Sequence, residues 1–286
     1  MAEKPTTIRY IKENIARYDF RFKKELGQNF LIDENIIRKI IAASDIAEDD
    51  NVLEIGPGMG SLTYFLVQTC KELLVVEKDR VLTNVIKKNF HDVPHLTILN
   101  EDILTFDFQK LPDYFSTQKK IKVISNLPYS ITSAVIMKLL QHGNAFDTLT
   151  LMMQKEVAQR LLASPSTKDY SSLTLAVQYY AECTPLFNVP SHVFFPRPTI
   201  DSTVVLLKLR AQPPVSTSYE SEMFSLIRAA FSTRRKTLIN SLHHQLHFDK
   251  NVLLNALKQL DIDIHVRGEA LTLTQFAALT EILHDK

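Results

Sequence analysis

The chain has 286 residues, 45% of them hydrophobic and 23% charged, with a formal net charge of +1. This composition lies well away from the low-hydrophobicity, high-charge region of disordered chains, and the length supports a full core plus a small companion domain. No stretch approaches the roughly 18 consecutive apolar residues of a membrane span, and the opening residues lack the apolar core and cleavage site of a secretory signal, so a cytoplasmic location without membrane attachment is expected.

Along the chain, charge is uneven. Residues 1–24 form a basic arm, with Lys4, Arg9, Lys12, Arg17, Arg21, Lys23 and Lys24 against Glu3, Glu13 and Asp19. From Asn51 onward, short apolar runs alternate with segments of helical spacing, the signature of a parallel sheet with helices on both faces. The predicted strands are Val52 to Ile55, Leu73 to Val76, Leu96 to Leu99, Ile121 to Ser125 and Thr148 to Met153. Helical spacing fills Leu62–Thr69, Val81–Phe90, Ala134–Leu140 and Lys155–Ala163. Leu173 to Tyr180 is ambiguous between helix and strand, Pro190 to Pro198 reads as loop, and Thr203 to Leu209 as a strand.

Ala211 to Ser218 has linker composition. The expected division is therefore an arm over 1–24, an α/β domain over 25–210 and an all-helical domain over 211–286, with Thr233 as an N-cap before Leu238, Leu242 and Leu246. Arg228, Arg234, Arg235 and Lys236 enclose no acid between them, a pattern that suits phosphates as well as a solvated face. Cys70 and Cys183 show neither disulfide-framework nor zinc-ligand spacing. His243, His244 and His247 lack an acidic or fourth partner, and no metal is expected.

Only six glycines occur, and three fall within five residues of the stretch Glu54 to Ser61 (EIGPGMGS), between the first strand and a helix. Glycines at such a turn permit positive φ and close backbone approach to a ligand. The dinucleotide fingerprint is G-x-G-x-x-G; the G-x-G-x-G spacing here disfavours a nicotinamide dehydrogenase and is similar to the E-x-G-x-G-x-G motif of S-adenosylmethionine-dependent methyltransferases. Glu77 ends the second strand, Asp102 follows the third and Asn126 the fourth. Ligands of open α/β sheets bind outside the carboxyl ends of strands, so Gly56, Gly58, Glu77, Asp102 and Asn126 should line one crevice, with Glu77 toward ribose hydroxyls and Asp102 toward an adenine amino group.

The tetrapeptide Asn126, Leu127, Pro128, Tyr129 resembles the motif of methyltransferases acting on exocyclic amino groups of bases. An adenine N6 lone pair is delocalised into the ring and is a poor nucleophile. The Asn126 side-chain oxygen and the Leu127 carbonyl can each accept one N6 hydrogen, with Pro128 holding Leu127 out of helical dihedrals. Tyr129 can stack on the base, and Phe194 or Phe195 could supply a second face or belong to the core.

Taken together, LGQNFL (from Leu26), EIGPGMGSLT (from Glu54), Glu77, NEDIL (from Asn100), NLPY (from Asn126), QKEVAQRL (from Gln154), VFFPRPTIDSTVV (from Val193) and AFSTRRKTL (from Ala230) resemble the KsgA/RsmA family of small-subunit ribosomal RNA adenine dimethyltransferases nearly end to end. The resemblance implies a Rossmann-like methyltransferase sheet with a small all-α C-terminal domain. It implies S-adenosylmethionine as methyl donor and conversion of two adjacent adenosines near the 3′ end of 16S rRNA to N6,N6-dimethyladenosine. It adds Gln28, Asn29 and Leu31 to the cofactor site, selects Phe194 for stacking, and makes the small ribosomal subunit the partner of a monomeric enzyme. RNA contact is expected at Arg234, Arg235 and Lys236. The large-subunit enzymes of macrolide resistance share the catalytic half, and a non-catalytic nucleic-acid-binding relative is the alternative from another class.

Overall fold

A computed structural model describes residues 4–22, 27–233 and 235–284; Lys23, Lys24 and Arg234 lie outside the described residues. The chain forms two compact units, Met1–Ala158 with Glu182–Leu209, and Gln159–Ala181 with Arg210–Lys286.

The first unit begins with helix α1 (Ile8–Arg17), capped by the Thr7 hydroxyl accepting from the Tyr10 N–H, and burying Tyr10, Ile11 and Asn14. A short strand β1 (Phe30–Leu31) precedes α2 (Glu34–Ala43), whose N-cap Asp33 accepts from two backbone N–H groups. The alternating core follows as β2 (Asn51–Ile55), α3 (Thr63–Leu66), β3 (Glu72–Val76), α4 (Arg80–Asn89), β4 (Leu96–Leu99), β5 (Ile121–Asn126), α5 (Thr132–Gln141) and β6 (Phe146–Gln154). All five residues of β2 are buried, as a parallel strand covered on both faces requires.

Helix α6 (Lys155–Leu161) and α7 (Ser172–Tyr180) come next, then β7 (Ala181–Val189), the two-residue β8 (Phe194–Phe195) and β9 (Ser202–Leu209). The main sheet has the order β4-β3-β2-β5-β6-β9-β7, with β9 antiparallel to β6. Chain direction across the sheet reverses between β2 and β5, the switch point at which open α/β sheets hold ligands. A small second sheet pairs β1 with β8, setting Leu31 opposite Phe194. The segment expected to be plain loop therefore contributes a strand.

The second unit holds α7, α8 (Glu220–Phe231), α9 (Leu238–Leu246), α10 (Lys250–Gln259) and α11 (Leu273–His284). The second division between the units falls between Leu209 and Arg210, next to the boundary expected at 210/211, while residues 159–181, expected in the α/β domain, group with the helices. The ambiguous Leu173 to Tyr180 is helix, started by a Ser171 capping box. Within the unit the Tyr170 hydroxyl donates to the Leu271 carbonyl at 2.9 Å, and Tyr179 to Glu220 at 2.9 Å. These partners are too distant in sequence to be seen as periodicity.

The cap of α9 is Thr237, not Thr233. Thr233 instead closes a turn by accepting from the Lys236 N–H at 3.2 Å, so the exposed Arg235 and Lys236 precede the helix rather than open it. His247 is the left-handed C-cap of α9 and the His243 Nδ1 meets the Phe248 carbonyl, which gives two of the histidines a structural role. Cys70 and Cys183 are free thiols pushed up to about 12 by burial. Among the described residues no helix is long and apolar enough to cross a membrane.

Candidate active site at the switch point

The glycine turn after β2 is left-handed at Gly56, Gly58 and Gly60, with φ of 63°, 62° and 86°. At Gly58 conformation and space agree, because a Cβ there would lie 2.8 Å from the Phe30 ring. A Cβ on Gly56 would lie 3.1 Å from Pro128 Cγ, so the turn and the NLPY segment lie side by side. Together with residues 27–31, Glu77 and Lys78 they line one cavity.

Glu77 stands at the carboxyl end of β3 and is 6% exposed. One carboxylate oxygen accepts from the Asp79 N–H at 2.8 Å and the other from the Gly58 N–H at 3.2 Å, tying it to the glycine turn. Burial outweighs these donors and raises its pKa to about 7. Glu54, under the turn, is pushed up to about 8 by burial, and its carboxyl accepts from the Thr63 hydroxyl at 2.6 Å.

Asn126 ends β5. Its Nδ2 donates to the Asn29 carbonyl at 3.1 Å, while its Oδ1 is buried without a hydrogen-bond partner. A buried acceptor left unpaired costs roughly 1–3 kcal/mol, and the residue that carries it lines the cavity. The Leu127 N–H donates to Met152 at 3.0 Å, which orients the following peptide. Tyr129 lines the cavity, and its hydroxyl lies 2.7 Å from Ser202 Oγ. The 27–31 segment adjoins it: Gly27 packs on the Tyr129 and Ser130 backbone, and Gln28, Asn29 and Leu31 all line the cavity.

The family model for ribosomal RNA adenine dimethylases matches residues 19–285. The chain belongs to this family. It is 43% identical over 277 residues to the ribosomal RNA small subunit methyltransferase A of Lachnoclostridium phytofermentans, covering 96% of each chain. It is 41% identical to the protein of the same name from Bacillus pumilus, covering 95% of this chain and 94% of that one. Among solved structures, a dimethyladenosine transferase from Plasmodium falciparum superposes with a TM-score of 0.71 at 30% identity, covering 87% of this chain and 95% of that one. The 23S rRNA methyltransferase ErmE gives 0.63 at 25% identity, covering 90% and 100%. The fold is thus the α/β methyltransferase sheet with a helical C-terminal region.

Two expected site residues of this adenine dimethylase sit elsewhere. Asp102 is not among the cavity-lining residues. Lys78 holds its carboxylate at 2.8 Å, which keeps it below the usual carboxylate range, and the Leu104 N–H donates to it at 2.9 Å. Its loop is fixed by the Lys138 ammonium, which donates to the carbonyls of Ile103, Leu104 and Phe106. Phe194 is 2% exposed and belongs to an apolar cluster with Leu31, Val193 and Val204. In this structure Phe194 packs in that cluster beside its β1 partner Leu31 and is not among the cavity-lining residues. Phe194→Ala is expected to destabilise the protein by about 3–5 kcal/mol, as for other buried Phe truncations, read by denaturant unfolding; a loss below about 1 kcal/mol would show that the ring is not core.

Sequence reasoning passed over Phe30 and Lys78, both in the cavity wall. Phe30 lies inside the LGQNFL motif and Lys78 directly follows Glu77, so adjacency to recognised residues was the available signal. No group of three or more His, Cys, Asp or Glu suited to a metal occurs among the described residues.

Proposed function

We propose that this chain transfers methyl groups from S-adenosylmethionine to N6 of two adjacent adenosines near the 3′ end of small-subunit ribosomal RNA, acting as a cytoplasmic monomer. The observation that carries this reading is the unpaired, buried Oδ1 of Asn126 in the cavity beside the glycine turn. The names of the 41–43% identical relatives support a small-subunit target over the large-subunit one named for ErmE at 25%. The intact cavity argues against a non-catalytic relative.

The residues present fit S-adenosylmethionine. The buried carboxyl of Glu77 suits ribose hydroxyls, the left-handed turn at Gly56 and Gly58 brings the backbone against Pro128 and Phe30 where a side chain could not fit, and Gln28, Asn29 and Leu31 line the same cavity. Asp102 remains the proposed acceptor for an adenine amino group, which requires exchange of its present Lys78 contact. When bound, S-adenosylmethionine supplies an electrophilic sulfonium methyl. Asn126 Oδ1 and the Leu127 carbonyl accept the two N6 hydrogens, drawing the nitrogen lone pair out of conjugation and toward that methyl. Tyr129 stacks on the base. Because the donor would carry a cationic sulfonium leaving group, no strong base would be needed before attack, and positioning of the amine is the principal contribution of the protein.

Labelled-methyl transfer to immature small subunits, with the product identified by mass as N6,N6-dimethyladenosine, tests the reading; transfer only to 23S rRNA, or none, overturns it. Substrate recognition is assigned to Arg234, Arg235 and Lys236. Changing all three to Gln should weaken subunit binding and reduce the slope of log affinity against log salt by about one unit for each phosphate that is no longer neutralised. Cofactor affinity should not change. An unaltered salt slope would move the RNA contact to another basic region, first the arm.

A further inference from the structure

The basic arm makes a second kind of contact, with the glycine turn itself. Three left-handed glycines in five residues give a segment with much conformational freedom to lose, so a turn that must hold a ligand needs fixing from outside. Part of that fixing is local: the Gly60 N–H donates to Pro57, the Gly56 N–H to Val76 and the Gly58 N–H to Glu77. The rest comes from residues about fifty positions earlier. The Ser61 hydroxyl donates to the Pro5 carbonyl at 2.8 Å, and the Tyr10 hydroxyl donates to the Met59 carbonyl at 3.4 Å.

Tyr10 is itself held. It is 7% exposed, and its hydroxyl accepts from the Asn89 amide of α4. Burial pushes the phenol above its ordinary value, which keeps it a donor through the neutral range. The Tyr10 ring shares one buried cluster with Ile11, Phe20, Phe30, Met59 and Leu82. Two members of that cluster, Phe30 and Leu82, also line the cavity. The arm thus touches the turn from behind and reaches the cavity wall through Phe30, whose ring covers Gly58.

We infer that α1 is a strut for the cofactor turn and that Tyr10 is a positioning residue for methyl-donor binding, acting through the Met59 carbonyl. This deepens the proposed methyltransferase reading and rests on it. Tyr10 is not among the residues that line the cavity, so its effect belongs in donor affinity rather than in the chemical step.

The test compares full-length wild type, Tyr10→Phe and Ile227→Val, using S-adenosylmethionine in calorimetry and labelled-methyl kinetics on small subunits. Tyr10→Phe removes the hydroxyl and keeps the ring; it is expected to weaken donor binding about three- to tenfold and to raise KM for the donor equally, with kcat unchanged at saturation. Ile227→Val trims a fully buried side chain of α8, in the unit that does not hold the turn; it should lower the melting temperature and leave donor affinity as in wild type. Wild-type affinity in Tyr10→Phe overturns the inference, as does an equal loss in Ile227→Val, which would mean that general destabilisation is the cause. Deletion of residues 1–19 should weaken binding by more than tenfold, and wild-type affinity in that protein is again contrary; if the deletion does not fold, Tyr10→Phe decides alone. A wild-type protein that binds no S-adenosylmethionine would instead refute the functional reading beneath.

Discussion

Replacement of Asn126 by alanine is expected to lower the methyl-transfer rate by about a hundredfold to a thousandfold while the protein stays folded, the range seen when one pre-positioned hydrogen-bonding group is taken from a reacting centre. The Oδ1 makes no bond within the protein, so its removal leaves no protein donor unpaired. It would remove one of two acceptors that hold the N6 hydrogens in the reactive geometry. The Nδ2 bond to the Asn29 carbonyl is removed as well, and this tether spans 97 positions between the NLPY segment and the 27–31 wall. Donor binding should therefore weaken by a few fold, a small effect beside the loss in rate. Single-turnover transfer at saturating donor separates the two, and a rate within a few fold of wild type would remove Asn126 from its assigned role.

Glu77→Ala acts on the other substrate. A carboxylate accepting from ribose hydroxyls is a charge-assisted contact of roughly 1.5–3 kcal/mol, so donor affinity should fall by about ten- to a hundredfold by calorimetry. Some stability goes with it, because the Gly58 and Asp79 N–H groups are left without their acceptor. The raised pKa of Glu77, about 7, adds a signature. Hydroxyl donors favour the ionised carboxylate, so binding should strengthen as pH rises through 7, by about tenfold between pH 6 and pH 8 in the linkage expression. For folding of the ligand-free protein the sign is opposite. The folded state holds this proton between the ordinary carboxyl value and about 7, so Glu77 contributes most on the acid side and its contribution falls as pH rises across that window. Glu77→Gln should bind the donor with little dependence on pH. Unchanged affinity in the alanine variant, or an equal pH dependence in the glutamine variant, would count against the ribose assignment.

The parts of the site that were legible in the sequence are those fixed by short-range rules. Strand-length apolar runs alternating with helical spacing specified the parallel sheet, and the glycine spacing, Glu77 and NLPY each directly follow a strand. In an open α/β sheet that position alone brings them to one edge, and the cavity is lined by Gly56, Gly58, Glu77 and Asn126 as that rule requires. The family resemblance added residues 27–31, which local pattern could not have placed against NLPY.

What only the tertiary structure decided depends on partners far apart in the chain. Phe194 is packed through its pairing with Leu31, a residue far earlier in the chain, and is buried there. The turn of Asp102 toward Lys78 instead of the cavity is a matter of two side chains meeting across the ends of neighbouring strands. The grouping of residues 159–181 with the C-terminal helices follows from Tyr170 and Tyr179 finding acceptors 101 and 41 positions later. The seating of the arm behind the glycine turn, through Pro5 and Tyr10, is of the same kind. Periodicity records which face of an element is apolar, whereas the identity of the surface it meets is set by packing between elements, and that information is spread over the whole chain.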